Sequence, residues 1–218
     1  MRVSEVADVY GEGMAAVARV AGEADGWRLS YMDGRQARLA FGRWCGLPDA
    51  TDLDVLGRCV PPVIDVGCGP GRLTAALSRA GVVVLGIDIS EAAVRLTRQA
   101  GAWALHRSVF GWLPGEGEWA TVLLMDGNVG IGGDPCALLQ RCERLLGPGG
   151  RVLVELEPPG TPSESVRVRL ESPKGVGAWF DWAHLGVDDV GEPAAAAGLD
   201  LAEVWAGDGR WFASLLRR

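Results

Sequence analysis

The spacing of apolar and polar positions along the 218-residue chain changes near Pro62. Before it, Val3, Val6, Ala7, Tyr10, Met14, Val17, Ala18 and Ala21 recur at helical spacing, and Gly22 and Gly26 close that helix. A second helix is predicted over Met32–Cys45. A turn followed by a short helix, started near Thr51 or Asp52, is predicted over Leu47–Cys59. Residues 1–60 therefore read as a small helical cap with too few residues for a core of its own. From Pro62 onward, short apolar runs alternate with helical stripes, the pattern of a parallel sheet covered on both faces. Val63–Val66, Val82–Ile87, Ala102–Leu105, Ala120–Met125 and Arg151–Glu157 are the predicted strands. Helices follow Gly71, Ser90 and Asp134, the last opening on Pro135 and stopped by Gly147-Pro148. After Pro158-Pro159-Gly160 the alternation breaks. Ser165–Glu171 and Ala178–His184 read as a hairpin inserted near 163–184. Leu199–Trp205 and Arg210–Leu216, separated by Gly207-Asp208-Gly209, read as a closing antiparallel pair.

Composition narrows the class. A net charge of −7 and the absence of a Lys/Arg stripe argue against a nucleic-acid or membrane-surface partner. No run of about 18 apolar residues is present, so no membrane span is expected, and the N-terminus lacks the pattern of a signal peptide. The five cysteines (Cys45, Cys59, Cys68, Cys136 and Cys142) form no C-x-x-C and have no paired histidine. They read as reduced, mostly buried thiols of a cytoplasmic protein, with no metal site.

The chemistry concentrates in Asp65-Val66-Gly67-Cys68-Gly69-Pro70-Gly71, between a predicted strand and a helix. Glycines there allow a tight turn and let a ligand approach backbone N–H groups. Counted from Gly67, the dinucleotide fingerprint requires a glycine where Arg72 stands, and no P-loop Lys-Ser/Thr follows. Asp88 ends the next strand, where a carboxylate can hold a ribose diol. A glycine loop with a ribose acid and no phosphate signature describes a nucleoside cofactor without phosphates.

The run Val63 to Leu73 resembles the first motif of the class I S-adenosylmethionine-dependent methyltransferases. Asp88 matches that family's ribose acid, and Leu146-Gly147-Pro148-Gly149-Gly150-Arg151-Val152-Leu153 resembles the turn into its fifth strand. The resemblance covers roughly Pro61 to Pro159. It implies an α/β, Rossmann-like fold: a mostly parallel seven-stranded sheet with helices on both faces and an antiparallel closing strand, spanning residues 61–218. It also implies methyl transfer from S-adenosylmethionine. Gly67, Cys68, Gly69 and Gly71 would lie beside the methionine part of the cofactor, Asp65 would orient its amino group, Asp88 would bind the ribose, and Ile89 would lie on the adenine. Ser108-Val109 stands where the family holds the adenine edge, often with an acid. Two rivals remain: a nicotinamide-dependent oxidoreductase, and a protein that binds S-adenosylmethionine to sense it or to cyclise or rearrange a substrate.

In an open α/β sheet the ligand lies at the carboxyl ends of the strands. Asp126 and Asn128 follow the fourth strand, so Asp126 is a candidate for catalysis and cofactor contact, and Asn128 for substrate contact. His184 lies near Trp179, Phe180 and Trp182 in the inserted hairpin and is the candidate base, with Trp179 as a substrate wall. Glu155, Glu157 and His106 read as structural. The acceptor is expected to be a small molecule, with a homodimer left open. The N-terminal segment and the insertion are expected to close together over the reacting methyl.

Overall fold

A computed structural model describes residues 27–173 and 175–218. The helix expected over Val3–Ala21 lies outside them. In chain order the strands are β1 Arg28–Tyr31, β2 Gln36–Arg38, β3 Val63–Val66, β4 Val84–Asp88, β5 Ala104–His106, β6 Trp119–Leu124, β7 Leu146–Leu156, β8 Glu164–Ser172, β9 Gly175–Val176, β10 Phe180–His184, β11 Leu199–Gly207 and β12 Arg210–Arg217. The helices are α1 Phe41–Trp44, α2 Ala50–Gly57, α3 Arg72–Arg79, α4 Glu91–Gln99, α5 Pro135–Leu145 and α6 Gly191–Ala196.

Seven strands form the main sheet in the order β11-β12-β7-β6-β3-β4-β5. The pairs from β7 to β5 are parallel, and β12 closes antiparallel on both β7 and β11. This is the Rossmann-like sheet with its antiparallel closing strand. All four residues of β3 are buried, as a strand covered on both faces requires. Ile64, Val66, Val122, Leu124, Val152 and Val154 face α5 and α6 through Leu138, Leu139, Cys142, Leu145 and Ala194. On the other face Val63, Leu123, Leu153 and Phe212 meet Leu73 and Leu77 of α3 and Val55 and Leu56 of α2. The alternation of side chains along each strand thus builds two cores with one sheet between them.

Helix starts follow side-chain chemistry. Asp134 accepts from Ala137 N with Pro135 behind it, and Ser90 accepts from Ala93 N. α2 starts at Ala50, next to the start expected near Thr51 or Asp52, and its cap is Asp49. Asp49 accepts from Asp52 N while Asp52 accepts from Asp49 N, a reciprocal box that fills two orphan donors. The fifth strand starts at Leu146 rather than Arg151, because Leu146 pairs with Trp119 and draws the glycine-rich turn into the strand.

The largest departure lies in residues 27–38. The helix expected over Met32–Cys45 is instead the end of a β-hairpin followed by the single turn α1, so the described part of residues 1–60 is not purely helical. Gly34, at φ 94°, makes the turn, and Asp33 accepts from Arg35 N. A helix would have left β1 without the partner it finds in β8. The second sheet runs β10-β8-β1-β2, all antiparallel, with β9 on the end of β8. It joins the N-terminal segment to the insertion after β7.

Candidate functional site

The glycine loop leaves β3 and enters α3 at the carboxyl end of the sheet. Gly67 and Cys68 donate their N–H groups to Ile87 O at 2.9 and 3.0 Å, which pins the loop to β4. Gly67 takes φ 72°, and a β-carbon there would stand 2.6 Å from Asn128 Nδ2. The absence of a side chain lets Asn128 lie on the loop and donate to Val66 O and Gly67 O at 2.9 and 3.0 Å. Asn128 is therefore a brace for the glycine loop. Cys68 is buried against Gly86, and burial pushes its thiol well above the usual range, so it has no thiolate character.

Asp88 closes the loop from the other side. One carboxylate oxygen accepts from Gly69 N at 2.9 Å and the other from Ser90 N at 2.8 Å. Burial raises its pKa, and these backbone bonds oppose the rise. Each oxygen retains a lone pair for a further donor. Ile89, beside it, is an apolar residue left 37% exposed, a surface suited to a flat ring. His106 reaches back to Ile89 O at 2.8 Å and holds that residue in place. Ser108 is exposed and accepts from Phe110 N at 3.3 Å, whereas Val109 is buried in the core. Arg141 fixes this segment by donating to Val109 O and Gly111 O, each at 2.7 Å.

Asp65 lies under α3, buried, and accepts from Thr74 Oγ1 at 2.6 Å. Burial lifts its pKa to about 7, against the pull of that bond. Together these groups make a cradle of bare backbone at Gly67 and Gly69, a carboxylate on either side and an exposed apolar residue at one end. The donor set suits a cationic amine, a diol and a purine.

Asp126 follows β6 at φ 57°. Its oxygens meet Arg43 and, at 2.6 Å, Arg72 Nη2, with Arg210 at 3.9 Å. Its N–H donates to Glu155 Oε2 at 2.8 Å. Arg72 also contacts Asp52, and Arg210 bonds Asp52 Oδ1 and both oxygens of Glu155, each at 2.8 Å. Burial pushes Glu155 up, but the two bonds and the charge of Arg210 outweigh it and hold the carboxyl below its usual range. Three guanidinium groups thus alternate with three carboxylates beneath the loop, and both oxygens of Asp126 are occupied by arginine.

The second sheet brings His184 to the end of β7. Its Nδ1 is 2.9 Å from Glu157 Oε1, and its Nε2 is 3.0 Å from the Tyr31 hydroxyl. Trp182, two residues away, packs on Gly130, just past Asn128. The Arg169 guanidinium lies 4.7 Å from the ring centre of Trp179. The sequence reading missed Tyr31, Arg43, Asp52 and Arg210 and took Glu157 as structural. The Asp33-Gly34 turn was the available signal for Tyr31, because it marks a hairpin.

Residues 63–150 match the family model described as "Methyltransferase domain". The chain is 30% identical over 158 residues to ubiquinone biosynthesis O-methyltransferase of Pseudomonas paraeruginosa, covering 59% of this chain and 66% of that protein. It is 38% identical over 98 residues to the protein of the same name in Methylococcus capsulatus, covering 41% of this chain and 40% of the other. The chain thus spans slightly under two thirds of the first of these relatives. Its fold is similar to that of an S-adenosylmethionine-dependent methyltransferase from Bacteroides fragilis in complex with S-adenosylhomocysteine, with a TM-score of 0.82, 20% identity, and 98% and 97% of the two chains covered. It is also similar to 1,6-didemethyltoxoflavin-N1-methyltransferase of Burkholderia thailandensis, with a TM-score of 0.60, 16% identity, and 100% and 91% covered.

Proposed function

We propose that the chain, whose residues 63–150 match a methyltransferase domain, is a class I S-adenosylmethionine-dependent methyltransferase that methylates a small-molecule acceptor and releases S-adenosylhomocysteine. The observation that carries the reading is the closure of the glycine loop by Asp88, whose carboxylate binds Gly69 N and keeps lone pairs for a ribose diol. When bound, the cofactor supplies an electrophilic methyl on a sulfonium sulfur.

The chain's own residues then hold, align and shield. Bare backbone at Gly67 and Gly69 admits the methionine part, with Cys68 and Gly71 shaping the turn. Asp65 orients the amino group, Ile89 lies on the adenine, and Ser108-Val109 border its edge. Asp126, clamped by arginines, is a positioning group: its N–H and its ion pairs fix the floor that Asn128 completes. His184 is the group best placed to take a proton from an acceptor, because Glu157 on its far nitrogen stabilises the charged ring. Trp179 forms an outer wall. The described N-terminal residues, 27–60, and the insertion near 163–184 act together as a cover, a reading favoured by the pairing of β1 with β8. A net charge of −7 favours a small molecule over nucleic acid as acceptor, and the free cysteines fit a cytoplasmic setting. Among the described residues, no helix is long and apolar enough to cross a membrane.

Calorimetry tests the cofactor. S-adenosylhomocysteine should bind at about micromolar or tighter, where a micromolar constant corresponds to roughly 8 kcal/mol, with NAD far weaker. Asp88→Ala should lose roughly 1.5–3 kcal/mol of that affinity. Equal binding of NAD, or unchanged affinity in the folded variant, would sink the assignment.

A further inference from the structure

Glu157 directly follows β7 of one sheet, while His184 ends β10 and Tyr31 ends β1 of the other. They form one continuous hydrogen-bonded line. A carboxylate can only accept, so His184 donates its Nδ1–H to Glu157. With the ring neutral, Nε2 is an acceptor and the Tyr31 hydroxyl its donor. Both oxygen lone pairs of Tyr31 remain available, and the side chain is only partly covered. The line is linked to the cofactor cradle through packed neighbours. Asn128 lies on Gly67, the turn after it carries Gly130, and Gly130 packs against Trp182, two residues before His184.

We propose that Tyr31, His184 and Glu157 form a proton relay that commits this site to a hydroxyl acceptor, with Tyr31 as the catalytic residue that meets it. The inference rests on the methyl-transfer reading and adds the class of substrate. A neutral amine attacks through a free lone pair and can lose its proton afterwards to water. A hydroxyl is a weak nucleophile unless its proton leaves during attack, so a built relay serves oxygen. As the acceptor oxygen forms its bond to the methyl carbon, the carbon–sulfur bond breaks and its electron pair stays on sulfur. The acceptor proton passes to the Tyr31 oxygen, and the Tyr31 proton passes to His184 Nε2. The single positive charge that began on the sulfonium ends on the His184 ring, next to Glu157. Glu157 acts as a positioning residue, fixing the tautomer and stabilising that charge.

Two measurements test this on the full chain. In the first, the protein is given S-adenosylmethionine with a 13C-labelled methyl and a small-molecule extract of its native host. The labelled products should be methyl ethers. Tyr31→Phe should lower kcat by about 100-fold or more with KM changed little, and Glu157→Gln by about tenfold. Both variants should bind S-adenosylhomocysteine as the unaltered protein does. Products labelled on nitrogen, sulfur or carbon, or Tyr31→Phe with unchanged kcat, would overturn the relay while leaving methyl transfer intact. Absence of any label transfer, with the cofactor product still bound, would instead overturn the methyl-transfer reading. The second measurement needs no turnover. The chain has two histidines, so 15N-histidine spectra resolve both rings. His184 should be the Nδ1–H tautomer, and Tyr31→Phe should shift its Nε2 resonance. An Nε2–H tautomer, or a resonance that Tyr31→Phe does not move, would overturn the relay independently.

Discussion

Asp52→Ala removes the most enclosed carboxylate of the network under the glycine loop. Its side chain is 1% exposed, and that of Arg72, its partner, is 2% exposed. Arg210 also donates to it at 2.8 Å. Removing one member of a buried, hydrogen-bonded ion pair costs about 3–5 kcal/mol, because the remaining charge is stranded away from water. Arg72 keeps Asp126 and Arg210 keeps Glu155, so the loss should sit at the lower end, about 3 kcal/mol. In a domain of this size that lowers Tm by roughly 6–12 °C. Asp54 on the same helix supplies the control: it pairs with Arg58 at 3.2 Å in the open, where an i,i+4 pair is worth only about 0.3–0.5 kcal/mol. Urea and thermal unfolding, followed by tryptophan fluorescence, would measure both variants at low and high salt. Salt should erase the small Asp54 effect and spare the Asp52 effect, which lies out of reach of screening ions. If Asp52→Ala costs less than about 1 kcal/mol, or if salt abolishes the loss, the network is solvated and this reasoning fails.

Gly67→Ala should destabilise the fold by about 1–2 kcal/mol and weaken S-adenosylhomocysteine binding, since its methyl would land 2.6 Å from Asn128 Nδ2 at a φ of 72°. Combining it with Asn128→Ala should be less than additive, and strict additivity in unfolding and calorimetry would show that this contact is not the cause. Asp65 titrates at about 7 in the folded protein against 3.8 as the ordinary value. Between those values the native state holds the extra proton, so this residue makes stability fall as pH rises from about 4 to 7. Asp65→Asn should remove that part of the slope, and Tm profiles of equal slope in the two proteins would refute the assignment.

The parts of the fold that could be read from the sequence are those whose physics is local. The buried run Val63–Val66, the glycine loop and the Asp134-Pro135 helix start each carry their cause within a few residues. Asp88 was readable because its role follows from its place at a strand end. The β1–β2 hairpin was not, although Asp33-Gly34 announces a turn. Its short strands are held by β8, and nothing near residue 30 encodes that partner. The arginine–carboxylate network was hidden for the same reason, since Arg210 and Asp52 are separated by 158 positions. A charged residue in a one-dimensional pattern looks like a solvated face until its counter-ion is located. His184 was found from its aromatic company, yet its partners Tyr31 and Glu157 needed both sheets to be assembled.

The pairing of Arg28 with Glu171 also sets a timetable for synthesis. β1 leaves the ribosome long before β8 exists, and at about 5–20 residues per second the gap between the two strands takes roughly 7–30 s to translate. Throughout that interval a strand edge with no native partner is open to pairing with other chains. At four residues β1 is a poor template for such pairing, and its length is a safeguard for the nascent protein.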